Sequence, residues 1–326
     1  MQAPVTHVLG ARPNFMKAAP VIRALGEAGV DQALIHTGQH YDARMSGVFF
    51  ADLGLPEPDV NLHVGSGAHG EQTAAVIVPV AHVEAGLRSF DNTMPEEINR
   101  RLTDQLCELL FVTSPEAIGY LGGEGIAADG VHFVGNTMID TLVACLDKLD
   151  AEAARAEHGL PERYLVATLH RPFNVDNPEA AALLVKAMHQ VADMAPVIMP
   201  VHPRGRAVFE VAGLADHPGI RMCEPLGYLE FMSLVRGAAA VITDSAGVQE
   251  ETTFLRVPCL TLRPVTERPI TVTSGSNRLV RADELASAVQ DALARGPYAG
   301  ELPPLWDGAS GPRIAGIIAG WLATRY

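Results

Sequence analysis

Short runs of Val, Ile and Leu recur along this chain without the apolar–polar alternation of a half-buried strand. Between them, apolar residues return every three or four positions. "THVLG" (Thr6–Gly10) and "QALIHTG" (Gln32–Gly38) are runs of the first kind, and Phe15 to Ala28 between them has the helical period. A helix over "QHYDARMSGVFFADLGL" follows. The series then continues through "VPVAHVEAG", a helix from Pro95 to about Leu109, "LLFVTS", a helix after Pro115, and "VHFVGN". Unalternating strands separated by helices predict a parallel sheet covered on both faces.

The same order restarts in the second half. "YLVATLH" reads as a strand, Pro178–Met194 as a helix and "PVIMPVH" as a strand. "FMSLVRGAA" is a helix segment and "AAVITDSAG" a strand ending in a glycine turn. A helix "VQEETTFLR", a strand "PCLTLR" and a helix over Asp283–Arg295 complete the series. The predicted class is α/β, with two Rossmann-like doubly wound parallel-sheet domains facing a cleft. Residues 1–140 form the first, with a C-terminal helix over 312–326 packing back on it, and residues 141–311 form the second. Ligands of such sheets bind at the carboxyl ends of the strands, which directs attention to the turns there.

A length of 326 residues suits two domains rather than one, and 48% hydrophobic against 19% charged residues suffices for sizeable cores. The formal net charge of -14 argues against a nucleic acid or an anionic membrane as partner, because phosphate backbones repel such a surface. A small phosphorylated ligand stays open, since a few focused arginines can dominate locally. Cys107, Cys145, Cys223 and Cys259 are far apart and form no CxxC pair, so buried thiols in a reducing compartment are expected. No apolar run reaches ~18 residues and no secretory leader is evident, which predicts a soluble cytoplasmic protein.

Three turns carry the candidate chemistry. "GARPNFMK" follows the first strand, and Arg12, Lys17 and the amides of the next helix suit an anion, although an arginine there can also simply cap a neighbouring helix. In "ITDSAGVQEE", Ser245, Ala246 and Gly247 turn tightly into a helix. The hydroxyl and helix-terminal amides can hold phosphate oxygens, and a carboxylate one turn later can accept ribose hydroxyls. Glutamates there also merely offset the helix dipole. "RPVTERP" brings Arg263 and Arg268, expected to project into the same cleft. "HVEAGLRSFDNTMPEEINRR" is the densest: Glu84 ends a strand in an apolar setting, and Glu96, Glu97 and Arg100 open a helix. Two carboxylates in one partly buried site tend to separate in pKa, as an acid/base pair requires; a salt-bridged helix start is the plainer reading, more so for Glu97. "ATLHRPFN" places His170 at a strand end. Strand periodicity puts His82 and Glu84 on one face without a third metal ligand, so no metal site is expected. With no G-x-G-x-x-G after the first strand and no P-loop, nicotinamide and direct ATP chemistry are disfavoured.

Nine stretches in order resemble the non-hydrolysing UDP-N-acetylglucosamine 2-epimerases. They are "GARPNFMKAAPVIRAL", "HTGQHYD", "HVEAGLRSFDNTMPEEINRRLTD", "VGNTMIDTL", "LHRPFNVDN", "PVHPRGR", "TDSAGVQEET", "RPVTERPITVTSGSNRLV" and "WDGASGPRI". The resemblance implies a glycosyltransferase-B-like fold and interconversion of UDP-GlcNAc and UDP-ManNAc by elimination and re-addition of UDP, for surface polysaccharide precursors. It implies no cofactor, and a homodimer. It implies Glu84, Glu96 and His170 around the sugar. Arg12, Lys17, Arg100, Ser245, Gly247, Glu251 and Arg268 would hold UDP, with Phe231 near the uracil. Gln39 and His202 fall in motifs near a second, activating UDP-GlcNAc site of bacterial members.

The chain departs from the family pattern at residues 78–79. The helix begun at "GEQTA" runs into "VPVAHVEAG" without the intervening loop, strand ending in Gly-Asp, and helix, a piece of ~30 or more residues. That Asp is one of the family's three catalytic carboxylates, and its strand would sit centrally in the first sheet. Val80–Val83 would have to shift by ~4.8 Å to restore pairing. Asn14 replaces a common Glu, and Ala246 stands in the usual glycine pair. The alternatives are a UDP-sugar binder impaired in turnover and a glycosyltransferase of the same fold.

Overall fold

Strands β1 (Val5–Leu9), β2 (Gln32–His36) and β3 (Val60–Asn61) pair in parallel, with helix α1 (Arg12–Glu27) crossing from the first to the second. The computed structural model describes residues 5–10, 12–37, 52–61, 79–171, 174, 178–201 and 203–325, with backbone alone at 12, 13, 178, 203 and 204. It divides into two units, Met1–Cys145 with Pro304–Tyr326, and Leu146–Pro303.

In the first unit a second parallel sheet contains β4 (Ala81–Ala85), β5 (Leu109–Val112) and β6 (Val131–Phe133). Helices α2 (Pro95–Leu106) and α3 (Pro115–Gly123) make its crossovers, and α4 (Thr137–Cys145) follows. β5 is buried at every position, as its unbroken apolar sequence requires. One continuous sheet was expected here. The strands instead form two three-stranded pieces, and among the described residues no backbone pairing joins β1 to β4. Val80–Val83 has not moved across to pair with β1. Both pieces lie on one apolar layer, where Val5 of β1 and Val83 of β4 pack against Val21, Leu25, Phe111 and Ile318.

The helix Ser310–Arg325 belongs to this unit and lies along α1. Its start is fixed by Asp140 of α4, whose Oδ2 accepts the Gly311 N–H at 2.6 Å. A carboxylate at a helix N-terminus satisfies an orphan donor and complements the dipole. Burial nonetheless pushes the Asp140 carboxyl above its usual range, opposed by the Gly311 and Ser310 hydrogen bonds. Arg313, one turn on, donates to the Val134 carbonyl at 3.0 Å. The stretches "VGNTMIDTL" and "WDGASGPRI" are thus two halves of one junction.

The second unit carries β7 (Leu165–Thr168), β8 (Val197–Pro200), β9 (Ile220–Cys223), β10 (Ala240–Thr243), β11 (Cys259–Thr261) and β12 (Asn277–Leu279). They form one parallel sheet in the order β12-β11-β10-β7-β8-β9. Helices α5 (Ala151–Glu157), α6 (Pro178–Ala192), α7 (Pro203–Val211), α8 (Tyr228–Gly237), α9 (Ala246–Leu255), α10 (Ile270–Thr273) and α11 (Leu285–Arg295) connect them. Leu165, Met188, Ile242, Leu260 and Val289 share its main core. Strand order reverses between β7 and β10, so the turns after these two strands flank a topological switch point, where α/β sheets bind ligands. No helix among the described residues is long and apolar enough to cross a membrane.

Gly311 shows how close the C-terminal helix comes to α1. A Cβ there would stand 2.6 Å from the Pro20 carbonyl oxygen. Gly311→Ala is therefore expected to cost about 1–3 kcal/mol through overpacking, read as a lower Tm in thermal denaturation.

Candidate active site

Glu84 does not continue β4 as an ordinary strand residue. Val83 pairs with Phe111 and Ala85 with the next residue, Val112, so Glu84 is the extra residue of a β-bulge. Its backbone lies in the left-handed region, with φ 68, and Gly86 follows with φ 74. A non-glycine residue there costs on the order of 1–3 kcal/mol, and such strain clusters at functional sites. The bulge also overturns the expectation that His82 and Glu84 share a face. Ala85 takes the position alternation would give Glu84, and packs with Leu110 and Val112.

The Glu84 carboxylate is 5% exposed, and the Lys17 ammonium of α1 stands 2.5 Å from its Oε2. Lys17, expected on the diphosphate, is thus also the partner of the candidate base. Glu97 is buried and structural. It accepts the Ser89 and Phe90 N–H groups at 3.0 Å each, and Arg100 Nη1 at 2.6 Å. Glu97 thereby holds the turn that contains Phe90 at φ 60. Glu96, its neighbour on the first turn of α2, is exposed. The plain reading of a salt-bridged helix start holds for Glu97. The helix ends at Leu106 rather than Leu109, because Cys107 has extended backbone angles and Leu109 begins β5.

In the second unit the turns after β7 and β10 meet on Asp244, which is fully buried. Its carboxylate accepts the His170 and Arg171 N–H groups at 3.0 and 2.9 Å, and Asn174 Nδ2 at 2.9 Å. His170 Nδ1 lies 3.0 Å from Oδ1, while about half of that ring is exposed. Burial opposes ionisation of Asp244, but the hydrogen bond and charge of His170, helped by Asn174 and Arg171, outweigh it and hold the carboxyl below its ordinary range. A carboxylate on Nδ1 fixes the ring and leaves Nε2 for chemistry.

Ser245 is the N-cap of α9, and its own side chain makes no capping bond. Ser245, Ala246 and Gly247 are half-buried, so the helix start is accessible to an anion. Behind it, Gln249, Glu250 and Glu251 are buried. Gln249 Oε1 accepts from Thr266 Oγ1 at 2.7 Å and Asn277 Nδ2 at 3.0 Å, tying this turn to "RPVTERP". Arg263 and Arg268 were expected to bring cations for a diphosphate. Both are buried, with Arg263 on Glu267 at 2.8 Å and Arg268 on Glu250 at 2.9 Å. Burying an unmatched guanidinium costs several kcal/mol, which explains the paired glutamates. Phe231 of α8 is half-buried. Burial, with Glu250 nearby, pushes the Glu251 carboxyl up to about 8, against the hydrogen bond from Tyr228.

Arg12 begins α1, and its side chain lies outside the described residues, as do Gln39 and His202 entirely. All four cysteines are free. Among the described residues no group of three His, Cys, Asp or Glu is placed to hold a metal ion. Sequence reasoning missed Asp244, Gln249 and Tyr228. The one available signal was polar residues closing apolar runs, as in "VITDS".

The sequence model of the UDP-N-acetylglucosamine 2-epimerases matches residues 23–78 and again 77–319. The chain belongs to this family. The UDP-N-acetylglucosamine 2-epimerase of Methanocaldococcus jannaschii is 38% identical over 358 residues, covering 95% of this chain and 97% of the relative. The UDP-2,3-diacetamido-2,3-dideoxy-D-glucuronate 2-epimerase of Pseudomonas aeruginosa is 36% identical over 331 residues, covering 88% and 92%. The crystal structure of the M. jannaschii enzyme in complex with UDP-GlcNAc and UDP superposes with a TM-score of 0.88 at 37% identity, covering 98% of this chain and all of that one. The two stretches of the epimerase match meet at residues 77–78, and the 358-residue alignment is longer than the 326-residue chain although it covers 95% of it.

Glu251 gives the second unit a pH-dependent stability. Its folded pKa of about 8 lies above the ordinary 4.5, so its contribution is full below pH 4.5 and is lost as pH rises towards about 8, while the unfolded chain ionises first. Glu251→Gln removes that loss. The variant's Tm relative to the native chain is expected to rise between pH 5 and pH 8 in thermal denaturation across a pH series.

Proposed function

We propose that this chain interconverts UDP-GlcNAc and UDP-ManNAc as a non-hydrolysing epimerase. The observation that carries the reading is Glu84: a buried carboxylate on a strained bulge, paired with the Lys17 ammonium. A base so placed takes the C2 proton of the sugar. The C1–O bond then breaks with its electron pair leaving on UDP, and a C1–C2 double bond forms in a 2-acetamidoglucal. Protonation of C2 from the other face and return of UDP to C1 complete the inversion. Electrons balance without a redox partner, so no cofactor is needed.

Residue roles follow the chemistry of each group. Glu84, Glu96 and His170 act on the sugar, with Lys17 stabilising both the base and the departing charge. Arg12, Lys17, Arg100, Ser245, Gly247 and Arg268 hold the diphosphate, Glu251 the ribose, and Phe231 the uracil. Gln39 and His202 belong to a second, activating site. The relatives at 38% and 36% identity carry names for different sugars, but both are 2-epimerases of a UDP-linked acetamido sugar. UDP-GlcNAc is favoured by the family as a whole. The protein acts in the cytoplasm. It pairs as a homodimer, for which Ile98, Leu102 and Leu106, exposed at four-residue spacing on α2, supply an apolar face.

The chain also lacks a βα piece of the family at residues 78–79. Three observations support this: the epimerase match in two stretches, an alignment longer than the chain itself, and the absence of pairing between β1 and β4 among the described residues.

Incubation with UDP-GlcNAc in heavy water, followed by NMR, tests the reading. Deuterium at C2 together with UDP-ManNAc is expected. Free ManNAc with UDP means hydrolysis, transfer to an added acceptor means a glycosyltransferase, and bound but unchanged substrate means a UDP-sugar binder. Glu84→Gln is expected to reduce exchange by ~10²–10⁴-fold while leaving UDP affinity within a few-fold.

A further inference from the structure

The bulge at Glu84 needs something to hold it, and the strand ladder does not. β5 pairs with Val83 and Ala85 and skips Glu84. Left-handed backbone at a glutamate relaxes unless neighbouring contacts over-determine it. Those contacts converge on one side chain, Asp104, on the third turn of α2. Its Oδ1 lies 2.6 Å from His82 Nδ1, and its Oδ2 accepts the Gly86 N–H at 3.1 Å. His82 stands two residues before Glu84 and Gly86 two residues after it, so one carboxylate grips both flanks of the bulge.

The carboxylate is itself immobilised. It is 1% exposed, and Arg88 Nη2 donates to Oδ2 at 2.7 Å. Arg88 is 2% exposed and is held in turn by Glu124, through Nε at 2.9 Å and Nη2 at 2.7 Å. Burial opposes ionisation of Asp104, but His82 and Arg88 outweigh it and keep the carboxyl below its ordinary range. Gly86 packs closely against α3 on its other side, where a Cβ would meet Ala117 at 2.9 Å. An ionised acceptor with two oxygens is what this geometry requires: one for a ring donor, the other for an amide and a guanidinium.

We propose that Asp104 is a positioning residue for Glu84, holding the bulge so that the Glu84 carboxylate stands where proton transfer at the sugar needs it. His82 acts as the second half of the clamp. The proposal rests on Glu84 being the base. Asp104 touches no substrate; its effect passes through the backbone of residues 82–86. A base displaced by ~1 Å costs about a hundredfold in rate.

The test compares Asp104→Asn, His82→Ala, His82→Asn and Glu84→Gln with the native chain, by C2 deuterium exchange in heavy water and by UDP affinity. Asp104→Asn keeps the shape but presents an NH2 where one oxygen accepted. It is expected to lower kcat about a hundredfold, with KM for UDP-GlcNAc and the Kd for UDP within about twofold. His82→Ala should cost about tenfold, the worth of one charge-assisted hydrogen bond, and His82→Asn, which can donate from the same place, should recover most of it. Recovery by asparagine separates a clamp from mere filling of space, and this pair stands in if Asp104→Asn does not fold. Native exchange rates in both Asp104→Asn and His82→Ala, with Glu84→Gln inactive, overturn the clamp alone. Undiminished exchange in Glu84→Gln overturns the reading beneath it. Crystal structures of the Asp104→Asn and His82→Ala chains decide the matter even without turnover. A Glu84 φ that has left the left-handed region in either supports the clamp, and an unmoved bulge in both overturns it.

Discussion

Burying a carboxylate at the end of a strand is costly by several kcal/mol unless a cation meets it. Glu84 is met by Lys17 at 2.5 Å, an ion pair that joins α1 to β4. Lys17 belongs to the helix that follows β1, and Glu84 to a bulge in β4. These strands lie in two sheet pieces that share no backbone pairing among the described residues. The ion pair and the apolar layer of Val5, Val21, Leu25, Val83 and Phe111 therefore carry the connection that a continuous sheet would otherwise provide. The apolar layer supplies most of the energy. The ion pair supplies direction, because it fixes which cation stands beside the carboxylate.

A single device recurs in both units. Asp104 accepts from Gly86, Glu97 from Ser89 and Phe90, Asp140 from Gly311, and Asp244 from His170 and Arg171, in each case through backbone N–H groups. A turn that leaves a strand or enters a helix exposes amides that no ladder satisfies, and a buried carboxylate satisfies one or two of them at charge-assisted strength. The chain is acidic by a formal charge of -14, yet these acids face inward. They shape turns instead of coating the surface. The residues that meet substrate in the proposed reaction, Glu84 and His170, each sit on a turn held in this way.

The elements were largely legible because they follow from apolar runs. "LLFV" and "AVIT" are buried at every position, and an unalternating run has few other ways to be satisfied. The strand-end turns were legible for the same reason: glycine and charge at the close of an apolar run mark the carboxyl edge of a parallel sheet. The bulge was not. "HVEAG" has the composition of a regular strand, and the extra residue becomes visible only against its partner, where Val83 and Ala85 face adjacent residues of β5. Asp104 drew no reading from the sequence, because its partners lie 16 to 22 positions away. Asp244 and His170 are 74 positions apart, and the pairing of Arg268 with Glu250 likewise spans 18 positions. Pairings between distant buried charges leave no local pattern, whereas periodicity does.

The inferred loss of a βα piece at residues 78–79 bears unequally on the parts of the proposed site. The bulge is built from β4, β5 and α2, and from Asp104, Arg88 and Glu124, all of which follow the break in sequence. None of these contacts passes through β1. Removing a strand between β1 and β4 therefore leaves the strained carboxylate in place. The side of Glu84 that faces such a strand is the one met by α1, which carries Lys17 and begins at Arg12. Without backbone pairing between β1 and β4 among the described residues, α1 is held by close packing against the C-terminal helix, by the Thr141 hydroxyl donating to the Met16 carbonyl, and by the Lys17–Glu84 ion pair.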